Sequence, residues 1–216
     1  MKSKHVETFN HDPWAEGYDA DVLNEADPIR AGYEALLTWV AQYVPEKEKL
    51  RVADLGSGTG NLTVRLPTTA RITAVDTSVK MMNIAQTKLV RHSVSYVEED
   101  ILAWLTAGND PFDAFVSTYA LHHLTTDEKV TALEAMTARL NPGGSIAIGD
   151  LMFASTRDRE AILAQFTESG QSELVEDIID EFFWDLEEDC RLLKAGGGTF
   201  THRRFSTLSH GFVYSS

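Results

Sequence analysis

Three glycines separated by single residues, Gly56, Gly58 and Gly60, follow directly on the apolar run 50–55, which carries one acid, Asp54. Lacking Cβ atoms, such a loop admits positive φ and lets a polar ligand touch backbone at the end of a strand. A second acid, Asp76, stands 20 residues after Gly56 and ends another short apolar run, 71–76. From such a position a carboxylate accepts both hydroxyls of a ribose. Asp100 follows a third run and precedes the aliphatic Ile101. The spacing is G-x-G-x-G rather than the G-x-G-x-x-G that seats a pyrophosphate on a helix N-terminus, so a ligand without a pyrophosphate is the simpler fit. Each feature has a plainer competitor. The glycines also suit a tight turn, Asp76 suits the cap of a helix starting near Ser78, and the run Glu98-Glu99-Asp100 suits a solvated surface.

Proton chemistry falls to Tyr119, His122 and His123, which follow the apolar stretch 112–118. His122 or His123 suits removal of a proton from a reacting group, and all three equally suit the shaping of a pocket. Adjacent residues on a helix point about 100° apart, so His122 and His123 are not expected to face one ion. With a single cysteine, Cys190, and no spaced ligand set, no metal site is expected. Nineteen Lys and Arg against 33 Asp and Glu give a net charge of -14, which repels a phosphate backbone at long range. A small molecule is therefore the expected partner, with no nucleic acid. Nine Asp or Glu residues fall between Glu173 and Asp189 without one Lys or Arg. They read as a solvated helix face, or as an acidic rim for a cationic acceptor.

These residues need a scaffold that brings strand ends to one edge. Apolar runs at 50–55, 112–116 and 145–148 are nearly continuous, as in strands buried on both faces, and helical patterns lie between them. The reading is an α/β single domain: residues 1–45 form an N-terminal segment and helix, 46–150 the ligand-binding half, and 151–216 a helical insert and a hairpin. Asp27-Pro28 predicts a helix start with the acid as cap and proline in the first turn, continuing to about Tyr43. Thr125 with Glu128 predicts a capping box, followed by Val130, Leu133, Met136 or Thr137, and Leu140 on one face. Residues 156–194 read as helical, ended by Gly196-Gly197-Gly198, and 199–205 with 209–214 as two strands. No apolar run reaches the ~18 residues of a membrane span, and the first residues lack a signal-peptide core. Together with the lone cysteine this predicts a cytoplasmic protein.

Five segments in order, 51–62, 71–76, 93–101, 111–124 and 140–150, resemble the motifs of the class I S-adenosylmethionine-dependent methyltransferases. Within that superfamily the chain is most similar to small, uncharacterised bacterial members that share the segment 117–124. The resemblance implies a doubly wound, mostly parallel seven-stranded sheet of order 3-2-1-4-5-7-6 with strand 7 antiparallel. It implies S-adenosylmethionine as cofactor, held by Tyr18, Asp54, Gly56, Ser57, Gly58, Asp76, Thr77, Met81, Asp100, Ile101 and Ser117. Asp100 would approach the adenine amino group and Ile101 the ring. Residues 12–19 resemble the segment that covers the cofactor in many small-molecule members, which makes residues 1 to about 24 an expected lid carrying Trp14 and Tyr18. Neither the acceptor nor the oligomeric state is legible. A cofactor-binding protein on the same scaffold without catalysis, and a nicotinamide-dependent oxidoreductase, are the competing readings.

Overall fold

A computed structural model describes residues 2–4, 12–45 and 47–216. Its apolar runs form a parallel sheet from β1 (Arg51–Leu55), β2 (Arg71–Asp76), β3 (Ser93–Glu98), β4 (Phe112–Thr118) and β5 (Leu140–Phe153). A short strand β6 (Trp184–Asp185) pairs in parallel with the end of β5, at Met152 and Phe153. The last two strands, β7 (Thr199–Arg204) and β8 (Ser209–Ser215), form an antiparallel hairpin whose second strand pairs antiparallel with β5. The sheet order is β3-β2-β1-β4-β5-β8-β7, with β6 off this path. This is the expected order and reversed strand, renumbered because β6 raises the strand count to eight.

Alternation along each strand sends successive side chains to opposite faces, and both faces are covered. Val52, Ala114, Val116, Ala147 and Val213 pack on one side with Leu36, Leu37 and Val40 of the helix α2 (Tyr33–Ala41). Gly211 and Gly149 let that helix lie close: a Cβ on Gly211 would fall 2.4 Å from Trp39, and one on Gly149 2.7 Å from Leu36. On the other side Ala53, Leu55, Phe115, Ile146 and Ile148 meet Leu102 and Leu105 of α4 (Ile101–Ala107) and Leu133 and Met136 of α5 (Thr126–Ala138).

Three sequence expectations shift. The helix predicted from Asp27 begins only at Tyr33, because Gly32 sits at φ +83 and interrupts it; Asp27 instead closes a turn by accepting from the Ile29 N–H at 2.9 Å. The stretch 156–194 is not helical throughout. It holds α6 (Thr156–Glu168), α7 (Ser172–Asp180) and α8 (Arg191–Ala195), and between them β6, where the fully buried Trp184 prefers the pleated edge of β5. The capping box of α5 is present, but the buried face runs through Glu128, Lys129, Ala132, Leu133 and Met136, with Lys129 where Val130 was expected. Apolar periodicity overlooks a lysine whose ammonium lies 3.5 Å from Asp189 and 4.9 Å from the Trp184 ring centre. Among the described residues no helix is long and apolar enough to cross a membrane.

Candidate functional site

The carboxyl ends of β1 and β2 are joined by the glycine loop. Gly56 and Ser57 donate their N–H groups to the Val75 carbonyl, at 2.8 and 3.2 Å. Gly58 donates to Asp76 Oδ2 at 2.7 Å, while Asp76 Oδ1 accepts from the Ser78 N–H at 2.8 Å. The cap of the next helix, α3 (Val79–Lys88), is Ser78, whose hydroxyl accepts from Met81 at 3.1 Å. Asp76 is therefore not that cap. It braces the loop to the strand and stays on the rim of the cleft. The two central glycines differ. Gly56 (φ +71) would drive a Cβ to 2.2 Å from Ala120 Cβ, whereas a Cβ on Gly58 (φ +52) would meet nothing within 4 Å. The first allows close packing and the second leaves space open.

Asp54 lies beneath this loop, 1% exposed. Its Oδ2 accepts from the Thr63 hydroxyl at 2.5 Å, and Oδ1 has no hydrogen-bond partner among the described residues. Burial raises this carboxyl to about 7, against the lowering effect of the Thr63 hydrogen bond.

The cleft above the loop is lined by Ser3, Tyr18, Gly56, Gly58, Asp76, Thr77, Met81, Asp100, Ile101, Thr118, Tyr119, Ala120, His123 and Leu124, and holds about 740 Å³ with its open mouth included. Asp100 is buried rather than solvated: it caps α4 by accepting from the Ala103 N–H at 2.8 Å, and it also accepts from Ser3 at 3.1 Å. Tyr18 reaches the cleft because its neighbour Asp19 anchors the short helix α1 (Tyr18–Asp21). Asp19 accepts from Thr59 at 2.6 Å and Asn61 at 3.0 Å and pairs with Lys88 at 2.5 Å. Asp12 adds a hold on the Ser78 hydroxyl at 2.5 Å. Trp14, the other aromatic expected over the ligand, is instead 65% exposed. Of the expected lid, residues 1 and 5–11 lie outside the described residues.

Beyond β4 the chain turns sharply at Tyr119, a non-glycine residue at φ +50. Its N–H donates to the Gly149 carbonyl at 2.9 Å, its hydroxyl to Ser209 at 2.8 Å, and its ring lies 5.1 Å from that of Tyr33. Such strain persists only where surroundings over-determine it, and it clusters at binding sites. Burial raises the phenol well above its ordinary value, which makes it a poor proton acceptor here. His122 follows on a short 3-10 turn, Leu121–His123. Asp150 of β5, fully buried, faces His122 Nδ1 at 2.5 Å and accepts from the His122 N–H at 2.9 Å and from Trp184 Nε1 at 3.1 Å. Burial lowers the basicity of His122, but Asp150 and Glu181 outweigh it and raise the imidazole above its ordinary value. Glu181 stands 3.5 Å from His122 Nε2, and the His123 ring centre lies 4.0 Å from that of His122. The expectation that the two adjacent imidazoles face apart fails. The turn is not a regular α-helix, and one ring nitrogen of each, with a Glu181 oxygen, lie within 4.8 Å of one another.

The structure thus brings Tyr18, Gly56, Gly58, Asp76, Thr77, Met81, Asp100 and Ile101 to one cleft, along with Tyr119 and His123. Asp54, Ser57, Ser117 and His122 do not line it; Ser117 donates to the Leu55 carbonyl at 2.7 Å and ties β4 to β1. Sequence reasoning missed Asp19, Thr63, Asp150 and Glu181. Asp150 carried one usable signal, an acid inside an apolar strand, the same signal as Asp54.

A methyltransferase-domain family model matches residues 52–144. An uncharacterised methyltransferase of Anoxybacillus flavithermus is 34% identical over 192 residues, 87% of each chain. Among solved structures, the DhpI–SAM–HEP complex superposes with a TM-score of 0.69 at 19% identity over 99% of each chain. Magnesium protoporphyrin IX methyltransferase from Synechocystis, with bound SAM, does so with 0.65 at 15% identity, covering 95% of this chain and 92% of its own.

Proposed function

The chain belongs to the methyltransferase family, and we propose that it binds S-adenosylmethionine in the cleft at the carboxyl edge of β1, β2 and β4 and methylates a small-molecule acceptor. The observation that carries this is the pairing of Gly58, open on its cleft side, with Asp76, which holds that glycine by its N–H and keeps its carboxylate on the cleft rim. The fit extends along the cleft. Ile101 offers an apolar surface for a ring, and the buried Asp100 an acceptor for an exocyclic amine. The two solved structures that hold SAM share this fold.

When bound, S-adenosylmethionine supplies an already activated methyl group on a sulfonium. What remains for the protein is to align an acceptor and to keep water out. Tyr119, Ala120, His123 and Leu124, from the loop after β4, line the cleft as well, and there we place the acceptor. Tyr18, held through Asp19, and Ser3 line it from the N-terminal segment. An acceptor that must lose a proton meets imidazole there, since His123 lines the cleft and His122 stands behind it. The charge of -14 favours a small acceptor over nucleic acid. The test is calorimetry with S-adenosylmethionine and S-adenosylhomocysteine, followed by release of S-adenosylhomocysteine over a metabolite panel. Micromolar binding and acceptor-dependent turnover are expected. Binding without turnover on any acceptor would reduce the chain to a cofactor-binding protein, and absence of binding would overturn the reading.

A further inference from the structure

From the juxtaposition of His122, His123 and Glu181 beside the cleft, we propose that this chain carries a three-ligand site for a divalent transition-metal ion, positioned by Asp150. The inference rests on the cleft assigned above for its place at the acceptor end, and on its own geometry for the ion.

The ligand atoms are close enough to share an ion. One ring nitrogen of each histidine and one Glu181 oxygen lie within 4.8 Å of one another, and His122 Nε2 to Glu181 Oε2 is 3.5 Å. Ligands about 2.1 Å from a tetrahedral ion stand about 3.4 Å apart. Two imidazoles and a carboxylate suit Zn²⁺, Mn²⁺, Fe²⁺ or Co²⁺ rather than Mg²⁺ or Ca²⁺, and leave positions open for a ligand atom from the acceptor.

The surroundings match a metal ligand's support. Asp150 stands 2.5 Å from Nδ1 of His122 and accepts from the same residue's N–H, which fixes the ring so that Nε2 is the atom offered to Glu181. A carboxylate behind a ligating histidine is the usual way to fix tautomer and orientation. Asp150 is itself held by the Leu151 N–H at 2.9 Å and by Trp184 Nε1. Charge points the same way. The nearby Lys129 is matched by Asp189 at 3.5 Å. The carboxylates of Asp150 and Glu181 flank the two nitrogens of one imidazole, the kind of donor set that a dication takes. His123 lines the cleft, so an ion held there would be within reach of an acceptor oxygen or nitrogen.

The experiment uses the full chain, stripped with chelator and free of methyl donor, so that failure here is separable from failure of the methyl-transfer reading. Co²⁺ is titrated while its d–d absorption is followed, and Zn²⁺ by calorimetry. Uptake of about one ion per chain is expected, with bands of four- or five-coordinate Co²⁺. His123→Ala and Glu181→Gln should each weaken uptake on the order of 100-fold, and Asp150→Asn by about 10- to 100-fold. His202→Ala, in the separate pair His202–His210 (3.1 Å between ring nitrogens), should leave it unchanged. Circular dichroism of each variant confirms folding. Glu181 is only half-buried on the surface side of the cluster, so Glu181→Gln keeps the test valid even if Asp150→Asn does not fold. No uptake below millimolar metal, or uptake unchanged by both His123→Ala and Glu181→Gln, would overturn the proposal and leave His122, Asp150 and Glu181 as a packing contact alone.

Discussion

Replacing Gly56 and Gly58 one at a time by alanine should give opposite phenotypes, although the two glycines sit in one motif with one spacing. At Gly56 the new methyl would fall 2.2 Å from Ala120 Cβ and 3.4 Å from Ile101 Cδ1. Carbon atoms rest about 3.5–4.0 Å apart, so the loop carrying Ala120 must retreat by more than about 1 Å, and it has little freedom because Tyr119 is already at φ +50. Overpacking costs about 1–3 kcal/mol, and an L-residue in the left-handed region about 1–2 more. At about 2–4 °C per kcal/mol for a chain of this length, Gly56→Ala should lower Tm by roughly 5–20 °C. At Gly58 the methyl meets nothing within 4 Å, so only the φ +52 penalty remains, about 1–2 kcal/mol. That methyl stands in the cleft, where it takes ligand space. Gly58→Ala should therefore stay folded and bind S-adenosylhomocysteine at least ~100-fold more weakly, a loss of about 2.8 kcal/mol. Differential scanning calorimetry and isothermal titration read the two effects separately. A folded Gly58→Ala with wild-type Kd would place the ligand elsewhere, and an unchanged Tm for Gly56→Ala would refute the packing argument.

Asp76→Ala removes the acceptor of both the Gly58 and Ser78 N–H groups, so it should loosen the loop as well as lose a ligand contact, with about 1.5–3 kcal/mol at stake per charged hydrogen bond; titration should show weaker binding alongside a lower Tm, and an unchanged Kd would count against the assignment. Asp54, with its carboxyl raised to about 7 from 3.8, keeps a proton in the native state that the unfolded chain releases. The native state then binds more protons between these values, so this group's contribution to stability is full below pH 3.8 and is lost as pH rises through about 7, on the order of 4 kcal/mol at most. Asp54→Asn should therefore gain stability relative to wild type as pH rises from 4 to 8, and a Tm difference flat across that range would refute the shift. Hydrogen exchange at residues 18–22 should slow when S-adenosylhomocysteine is added, because Tyr18 lines the cleft. If protection stays constant and Tyr18→Ala binds normally, the segment is packing only. A gel shift with tRNA or duplex DNA at micromolar protein should show no complex, given the charge of -14.

How much of this was legible depended on how local the information was. β1, β4 and β5 announced themselves because strands buried on both faces must be apolar throughout, and Asp54 stood out against that background, as Asp76 did at the end of the short apolar run of β2. The capping box of α5 was readable because Thr125 and Glu128 are three residues apart and each satisfies the other's backbone N–H. Gly32 hid the true start of α2, since a proline after aspartate looks like a helix start whether or not a left-handed residue follows four positions later. β6 was unreadable for a different reason: a two-residue strand exists only because the end of β5 offers it an edge.

The same distinction divides the site. Its proposed cofactor end comes from consecutive strand ends and the loops that follow them, where Gly58 meets Asp76 across 18 residues within the parallel pair β1–β2. Its acceptor end comes from partners the chain brings together late. His122 meets Asp150 across 28 residues, and Tyr119 meets Ser209 across 90. Glu181, on the segment after α7, faces His122 from the insert. Residues proposed to bind the methyl donor sit in spacings that a single motif can hold. Those that would choose the acceptor are spread over β5, the insert and the hairpin, where no spacing is repeated and only packing decides which polar groups meet. That is why five ordered segments point to the methyl donor while the acceptor leaves no comparable pattern. It also explains why two adjacent histidines, read as pointing apart on a regular helix, come to face the same carboxylate once a 3-10 turn and Asp150 set their rings.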